Sequence, residues 1–390
     1  MPISPEYKTK QLFLLVGTNP LPNLVAAQLL LQPGGTVYLI YSDETFQIAE
    51  RLRACLEVNV ELLRVDPTNA QHIFRTVTRK LRGNMGSVGL HYTGGTKAMA
   101  VHAYRAVESA CGNWIPRPVY SYLDAKDFVL RIDPEHYEQV LFDVTPKLEE
   151  LAALHGARLR QNHPQREESL WGVQTATALA NSAPRGSLEA WRRWFDTLSA
   201  QFGRPLPEAV KLPQAPQLAE VRAALRQDLQ LSPEATVLPP EVVTSLKTKH
   251  KWFNGEWLEH YVLAQLLEVA AEVQVHDCGM SLATDQRRGK ADFDFEFDVA
   301  AMRGYQFFGI SCTTSTNKNV AKQKLFEAYL RARQLGGDEA RVGLVCAYEN
   351  AYRFEKEVVQ EWLAQGKIKI FGPREWPDLA AHLKEWLITQ

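Results

Sequence analysis

The stretch DFDFEFDVAAMRGYQFFGISCTTSTNK, Asp292 to Lys318, concentrates residues able to do chemistry. Asp292, Asp294, Glu296 and Asp298 alternate with Phe293, Phe295 and Phe297. Read as a strand, this places the carboxylates on one face and the rings on the other. Adjacent carboxylates repel unless a cation or basic side chains neutralise them. Hard divalent cations take such oxygen ligands, polarise phosphates and lower the pKa of a bound water. A turn follows, and then a short apolar run ends in Ser311, Cys312 and Thr313. Beyond it, NVAKQKLFEAYLRARQL reads as a basic helix in which Lys324 and Glu327 are three apart and neighbours on the surface. Lys318, Lys322, Lys324, Arg331 and Arg333 suit phosphate-backbone contact or an ordinary solvated face. For the acids the plain alternative is a solvated strand face above phenylalanines that pack a core.

A second group of candidates lies near the N-terminus. Thr93-Gly94-Gly95-Thr96-Lys97 follows the apolar segment SVGLHY and precedes the helical TKAMAVHAYRAVESA. Two glycines let the backbone approach a ligand, the helix start offers free N–H groups, and Thr96 and Lys97 add donors. That combination suits a phosphate. Gly17, Thr18 and Asn19 after the first apolar run, and Ser42 after the second, occupy equivalent places. No Walker loop or GxGxxG fingerprint occurs, so neither a nucleoside triphosphate nor NAD is favoured. The alternative is a tight strand-to-helix turn with Thr96 as its cap.

The elements that must position these groups fall into three stretches. Over residues 1–147, apolar runs (QLFLLVG, TVYLIYS, VELLRVD, SVGLHY) alternate with helical patterns, and PVYSYLDAKDFVLRID closes as a hairpin. Strand–helix alternation predicts a Rossmann-like parallel sheet, with ligands at the carboxyl ends of its strands. Over 148–247, helices alternate with proline-bearing segments, which reads as a helical connector. Residues 248–390 open with the helix GEWLEHYVLAQLLEVAAEV, carry the acidic strand pair and the basic helix, and form a second α/β domain.

The whole composition excludes several classes. The formal net charge of −1 rules out a global basic field, so nucleic-acid contact must be local. Five cysteines lack CxxC spacing, which argues against zinc and against a disulfide framework and for a reducing compartment. The apolar run near the N-terminus breaks at Gly17, too early for a signal peptide or a membrane span. The expectation is a cytoplasmic protein with no membrane partner. His91 and His260, beside the candidate groups, read as packed histidines. No motif assembles a Ser/His/Asp or Cys/His triad.

LLVGTNPLPNL, HYTGGTKAMAVHAY and YSYLDAKDF together resemble a CARF domain, the CRISPR-associated Rossmann fold. FNGEWLEHYV, the FDV strand pair and ARQLGGDEARVGLV resemble the PD-(D/E)XK nuclease-like domain of two-domain CARF nucleases. The resemblance implies a homodimer that binds a cyclic oligoadenylate, typically the tetra-adenylate. It implies that binding switches on a divalent-cation-dependent (Mn²⁺ or Mg²⁺) nuclease acting on DNA or RNA in type III CRISPR defence. It implies ligand contacts from Gly17, Thr18, Asn19, Ser42 and Thr93 to Lys97.

In the nuclease part the family has a helix Glu, a strand Asp and then Glu-x-Lys. Glu259 and Asp298 match the first two, while Ser311-Cys312-Thr313 stands where Glu-x-Lys is expected. Metal ligands would be Asp298, Glu259 and Glu296. In a rewired site Lys324 and Glu327 supply the missing cation and carboxylate, joining Glu259 and Asp298 as catalytic groups. In a degenerate site the domain only binds, and the chain is a cyclic-oligoadenylate-sensing regulator. A ring nuclease that cleaves its own ligand is the third reading.

Overall fold

The computed structural model describes residues 3–82, 86–205, 207–284 and 296–389. The N-terminal unit is built from β1 (Thr9–Leu15), α1 (Leu21–Leu30), β2 (Leu31–Tyr41), α2 (Phe46–Cys55), β3 (Asn59–Arg64), α3 (Ala70–Leu81), β4 (Val88–His91), α4 (Lys97–Cys111), β5 (Val119–Asp124), β6 (Val129–Ile132) and β7 (His136–Gln139). These strands form one sheet in the order β3-β2-β1-β4-β5-β6-β7. The pairs from β3 to β5 are parallel, and β6 and β7 add on antiparallel. Period-2 alternation divides the apolar strands between two layers. Leu12, Leu14, Val37 and Leu39 face a core shared with α1 and α2, whereas Phe13, Leu15, Tyr38 and Ile40 face one shared with α3 and α4.

The connecting region holds α5 (Leu148–Leu154), α6 (Val173–Ser182), α7 (Ser187–Ser199), β8 (Val210–Lys211), α8 (Ala219–Asp228), β9 (Val237–Leu238) and α9 (Pro240–Leu246). A two-stranded β8–β9 ribbon lies among its helices. Residues of α6, α7, α8 and α9 share an apolar core with the C-terminal sheet, so this region packs as the flank of that sheet.

The C-terminal unit comprises α10 (Trp257–Ala270), β10 (Val275–Ala283), β11 (Glu296–Arg303), β12 (Gln306–Thr313), α11 (Lys318–Gly336), β13 (Arg341–Cys346), α12 (Ala351–Trp362), β14 (Ile368–Phe371) and α13 (Leu379–Ile388). Its sheet order is β10-β11-β12-β13-β14. The first three strands form an antiparallel meander, and the pairs from β12 to β14 are parallel. Helices α10 and α13 cover one face, α11 and α12 the other. The buried side of α11 is the stripe Ala321, Leu325, Ala328, Ala332 and Leu335, spaced four and three residues apart as one helix face requires. That stripe belongs to a core that also contains Leu12, Val25 and Leu151, so one apolar core runs through both halves.

The α/β architecture follows the sequence expectation. Strands β7, β10 and β14 and the β8–β9 ribbon are additions that the apolar runs did not announce. Among the described residues no helix is long and apolar enough to cross a membrane.

Candidate functional site

The C-terminal candidates meet where two strands part. β11 and β12 pair from Arg303 opposite Gln306 up to Val299 opposite Ile310, and there their register ends. β12 runs on beside β13 alone, with Ser311, Cys312 and Thr313 opposite Leu344, Val345 and Cys346. The lost strand contact is replaced by a side chain. Asp298 Oδ2 accepts from Cys312 N at 2.5 Å and from Ser311 Oγ at 2.9 Å. Ser311 thus orients the aspartate, a role that only the spatial fork makes visible.

Lys324 enters from α11. Its Nζ lies 3.4 Å from Asp298 Oδ2 and donates to Cys312 O at 3.0 Å. Burial pulls the ammonium pKa down, but Asp298, Cys312 and Glu259 outweigh it and the net shift is upward, which keeps Lys324 charged. Glu259 stands in the first turn of α10. Its side chain keeps some accessible surface, yet burial is the largest cause pushing its carboxyl well above the usual range, followed by Asp298. Glu256 and Glu296 push the same way and Lys324 opposes them. A turn of π-helix over Trp252–Glu256 feeds α10, and its Gly255 has φ 150° and ψ −24°. A Cβ there would come within 3.3 Å of Thr314 Oγ1, so a glycine lets the helix start close to the end of β12.

The other expected members stand apart. Glu327 is exposed and has no hydrogen bond or ion pair among the described residues. Side chains lean toward a helix's N-terminus, so Lys324 reaches the strand ends while Glu327, nearly a turn further on, faces water. Of the two groups expected from α11, the structure brings Lys324 to the strand ends and leaves Glu327 exposed. Glu296 is mostly solvated and lies 3.7 Å from Arg160 Nη2, although its charge is still felt by Glu259. Asp292 and Asp294 lie outside the described residues. The basic character of α11 is largely neutralised by α12: Lys318 pairs with Glu357, and Lys322 with Glu361 at 2.8 Å. Arg333 pairs with Asp338.

Among the described residues no group of three or more His, Cys, Asp or Glu side chains is placed to hold a metal. Asp298 Oδ2 and Cys312 O meet at Lys324 Nζ, and Glu259 is near enough for the Asp298 charge to raise its pKa. Glu259 carries negative neighbours that Lys324 only partly offsets, and a hard cation would relieve them further, so the donor set fits one in kind.

The N-terminal loops are organised by backbone instead. A Cβ on Gly94 would collide with Leu15 O, and one on Gly17 would lie 3.1 Å from Gly95 N, so two strand-end loops press together with no room for side chains. Gly95 has φ +74°, in the left-handed region that favours glycine. Thr96 Oγ1 accepts from Met99 N at 3.2 Å and caps α4, as the simpler reading expected. Thr93 Oγ1 accepts from Leu123 N at 2.6 Å. Ser42 is buried, with its N–H donated to Thr45 Oγ1 at 3.0 Å. Asn19 Oδ1 accepts from Leu21 N at 3.0 Å. Thr18 and Lys97 are exposed, and Lys97 opens α4. The nearby histidines are structural. His91 is buried against Ser121 with its pKa lowered to about 3 by burial, and His260 Nδ1 accepts from Trp171 N.

Residues 246–390 match the family model of the Card1-like endonuclease domain. Across the whole chain the fold is similar to that of a Vibrio cholerae protein, VC1899. The TM-score is 0.72 at 17% identity, with 97% of each chain covered. It is likewise similar to Can2 from Sulfobacillus thermosulfidooxidans, solved in complex with cyclic tetra-adenylate, with a TM-score of 0.69, 15% identity and 97% of each chain covered. No curated protein matches the sequence.

Proposed function

We propose that this chain, a two-domain CARF-plus-nuclease protein whose residues 246–390 are a Card1-like endonuclease domain, cuts nucleic acid when a cyclic oligoadenylate occupies its N-terminal loops. One observation carries the catalytic half: the Lys324 ammonium sits on Asp298 Oδ2 and Cys312 O. The cation that Thr313 cannot supply therefore comes from α11.

Asp298 and Glu259, with Cys312 O, would hold a divalent cation, Mn²⁺ or Mg²⁺, which when bound activates water and polarises the scissile phosphate. Ser311 and the Cys312 amide hold the Asp298 carboxylate in place. Lys324 stands at the same edge, where its fixed charge offsets negative charge growing on the phosphate in the transition state. Burial and Asp298 hold Glu259 toward its neutral form, and a cation held there would favour its carboxylate. The carboxylate lost at Ser311 is not replaced by Glu327, so the site works with fewer acids than the family pattern.

In the N-terminal half, the amides around Gly94 and Gly95 and the Lys97 ammonium meet phosphates of the ring, while Thr18 and Asn19 border it. Ser42 and Thr93 shape the walls, since their groups already bond to neighbouring backbone or side chains. Two copies paired about a twofold axis would present each loop twice to a symmetric ring.

A binding-only reading draws on the same gap at Ser311 and Thr313. Both readings meet one experiment: incubation with cyclic tetra-adenylate, Mn²⁺ or Mg²⁺, and labelled single- and double-stranded DNA and RNA. Ring- and metal-dependent cutting is expected. Ring binding without cutting under any metal, together with cutting by Ser311→Glu/Thr313→Lys, establishes the binding module instead.

A further inference from the structure

Helix α11 has one end in each site. Near its start Lys324 touches Asp298 and Cys312 O. Its C-cap is Gly337, with φ 71° and ψ −154°, a conformation reserved for glycine. A Cβ on Gly337 would collide with Asn19 Nδ2, so the helix end is seated directly against the Gly17–Asn19 loop. Asn19 is tied to the start of α1, because its Oδ1 accepts from Leu21 N, so its side chain follows the loop. Beside this contact a crevice of about 510 Å³ is lined by Thr18 and Asn19 on one wall and by Leu330, Arg333, Gln334, Gly337 and Asp338 on the other. The loop in turn touches the glycine loop, Gly17 against Gly94 and Gly95.

We infer that Asn19 and Gly337 are positioning residues for Lys324: they convert occupancy of the N-terminal loops into a displacement of α11 that sets the distance of the lysine from Asp298. The inference rests on the nuclease reading above and adds its regulation. Lys324 lies in α11 thirteen residues before the C-cap Gly337, a span of about 20 Å at 1.5 Å per residue. A helix transmits an axial push over that span with little loss. Its buried face is a stripe of mostly small residues, Ala321, Ala328 and Ala332 with Leu325 and Leu335, over which a slide of a fraction of a turn is less obstructed than over large interlocking side chains. At its far end the lysine is held by a 3.4 Å approach to Asp298 and a 3.0 Å hydrogen bond to Cys312 O, so a small slide changes the site. In this arrangement the lysine lies on Asp298 Oδ2 and Cys312 O, two of the oxygens that would hold the cation. A ring on the loop moves Asn19, and Gly337 leaves the helix end no slack to absorb that movement.

The test uses the full chain with cyclic tetra-adenylate. Hydrogen exchange on the unaltered protein is expected to change on ring binding at both ends of α11, at 333–338 and at 318–324. Changes confined to the N-terminal sheet and its loops overturn the inference. This readout does not depend on cutting, so a protein that binds the ring and shifts α11 without cutting refutes only the nuclease reading.

Gly337→Ala drives a methyl into Asn19. It is expected to leave ring affinity within threefold and the nucleic-acid KM within twofold, while the rate ratio with and without ring falls at least tenfold. Asn19→Ser keeps an acceptor for Leu21 N but withdraws the colliding amide, so the Asn19→Ser/Gly337→Ala pair is expected to regain part of that ratio. Full stimulation in Gly337→Ala overturns the relay. So does a loss of ring affinity in proportion to the loss of rate, which places Gly337 in the ring site. If Gly337→Ala does not fold, the exchange pattern alone decides.

Discussion

The two candidate sites are built from opposite materials. The N-terminal loops rely on backbone: Gly94 has no room for a Cβ, Gly17 has little, Gly95 takes a left-handed φ, and the hydroxyls of Thr93 and Thr96 are bonded to neighbouring amides. The C-terminal site relies on charged side chains from α10, β11 and α11, brought together where two strands separate. A backbone site presents its shape before any ligand arrives. A charge cluster is held in tension, with Glu259 pushed toward neutrality and Lys324 kept charged by the same neighbours, and is poised to exchange partners. Sensing suits the first construction, and chemistry the second.

The sharpest way to break this contrast is Asp298→Asn. The amide keeps an acceptor for Cys312 N but loses the charge that holds Lys324. Cutting is expected to fall by at least the upper end of the roughly 10²–10³-fold range for loss of one preorganised group. Calorimetric ring binding stays unchanged, and a mutant that still cuts moves the chemistry elsewhere. Next is Lys324→Ala, where single-turnover cutting at saturating substrate should drop by about 10²-fold with little change in KM. A mere phosphate contact would instead weaken binding and flatten its salt dependence. Glu327→Ala serves as the control and should be silent.

On the other side of the comparison, Lys97→Ala removes a charge-assisted contact and should weaken the ring by about 1.5–3 kcal/mol in calorimetry. Cutting at saturating ring should persist. Unchanged affinity removes Lys97 from the ring site.

The smallest effect sharpens the idea of stored tension. Glu259 has a folded-state pKa above its unfolded value of about 4.3. Its ionisation therefore costs stability in full at any pH above the raised value, and the cost shrinks as pH falls below that value and is gone only below the unfolded value. Glu259→Gln should raise the melting temperature of the cation-free protein at pH 8, and the gap should close toward pH 4. A gap that widens with acid would mean that the carboxylate is stabilised where it sits.

Legibility in the sequence follows the same division. The glycine loops could be read because close backbone approach demands a residue type, and glycine pairs at strand ends advertise it. The parallel sheet could be read from the long apolar runs of β1 and β2, buried on both faces. β14 (Ile368–Phe371) has four residues and hides between helices, and β10 mixes His276, Asp277 and Ser281 into its run, so neither announced itself. At the C-terminal candidate site, Glu259, Asp298 and Lys324 are nameable from pattern and family resemblance. What could not be read was their geometry: that the strands fork at Asp298, that Ser311 acts as its orienting donor, and that Lys324 turns inward while Glu327 does not. Sequence spacing gives neighbours along a helix. It does not say which of them faces a gap created by two strands elsewhere.

The apolar core that runs from Leu12 and Val25 through Leu151 to Leu325 and Leu344 bears on how such a protein can be handled and rebuilt. Cutting the chain on either side of the connector would leave each piece with a wet, greasy flank. Neither half should behave as a detachable cassette. Grafting this nuclease half onto another sensor would require carrying the facing surface of α1, α2 and α5 along with it. A melt of the whole chain should show one transition rather than two, with both activities disappearing together.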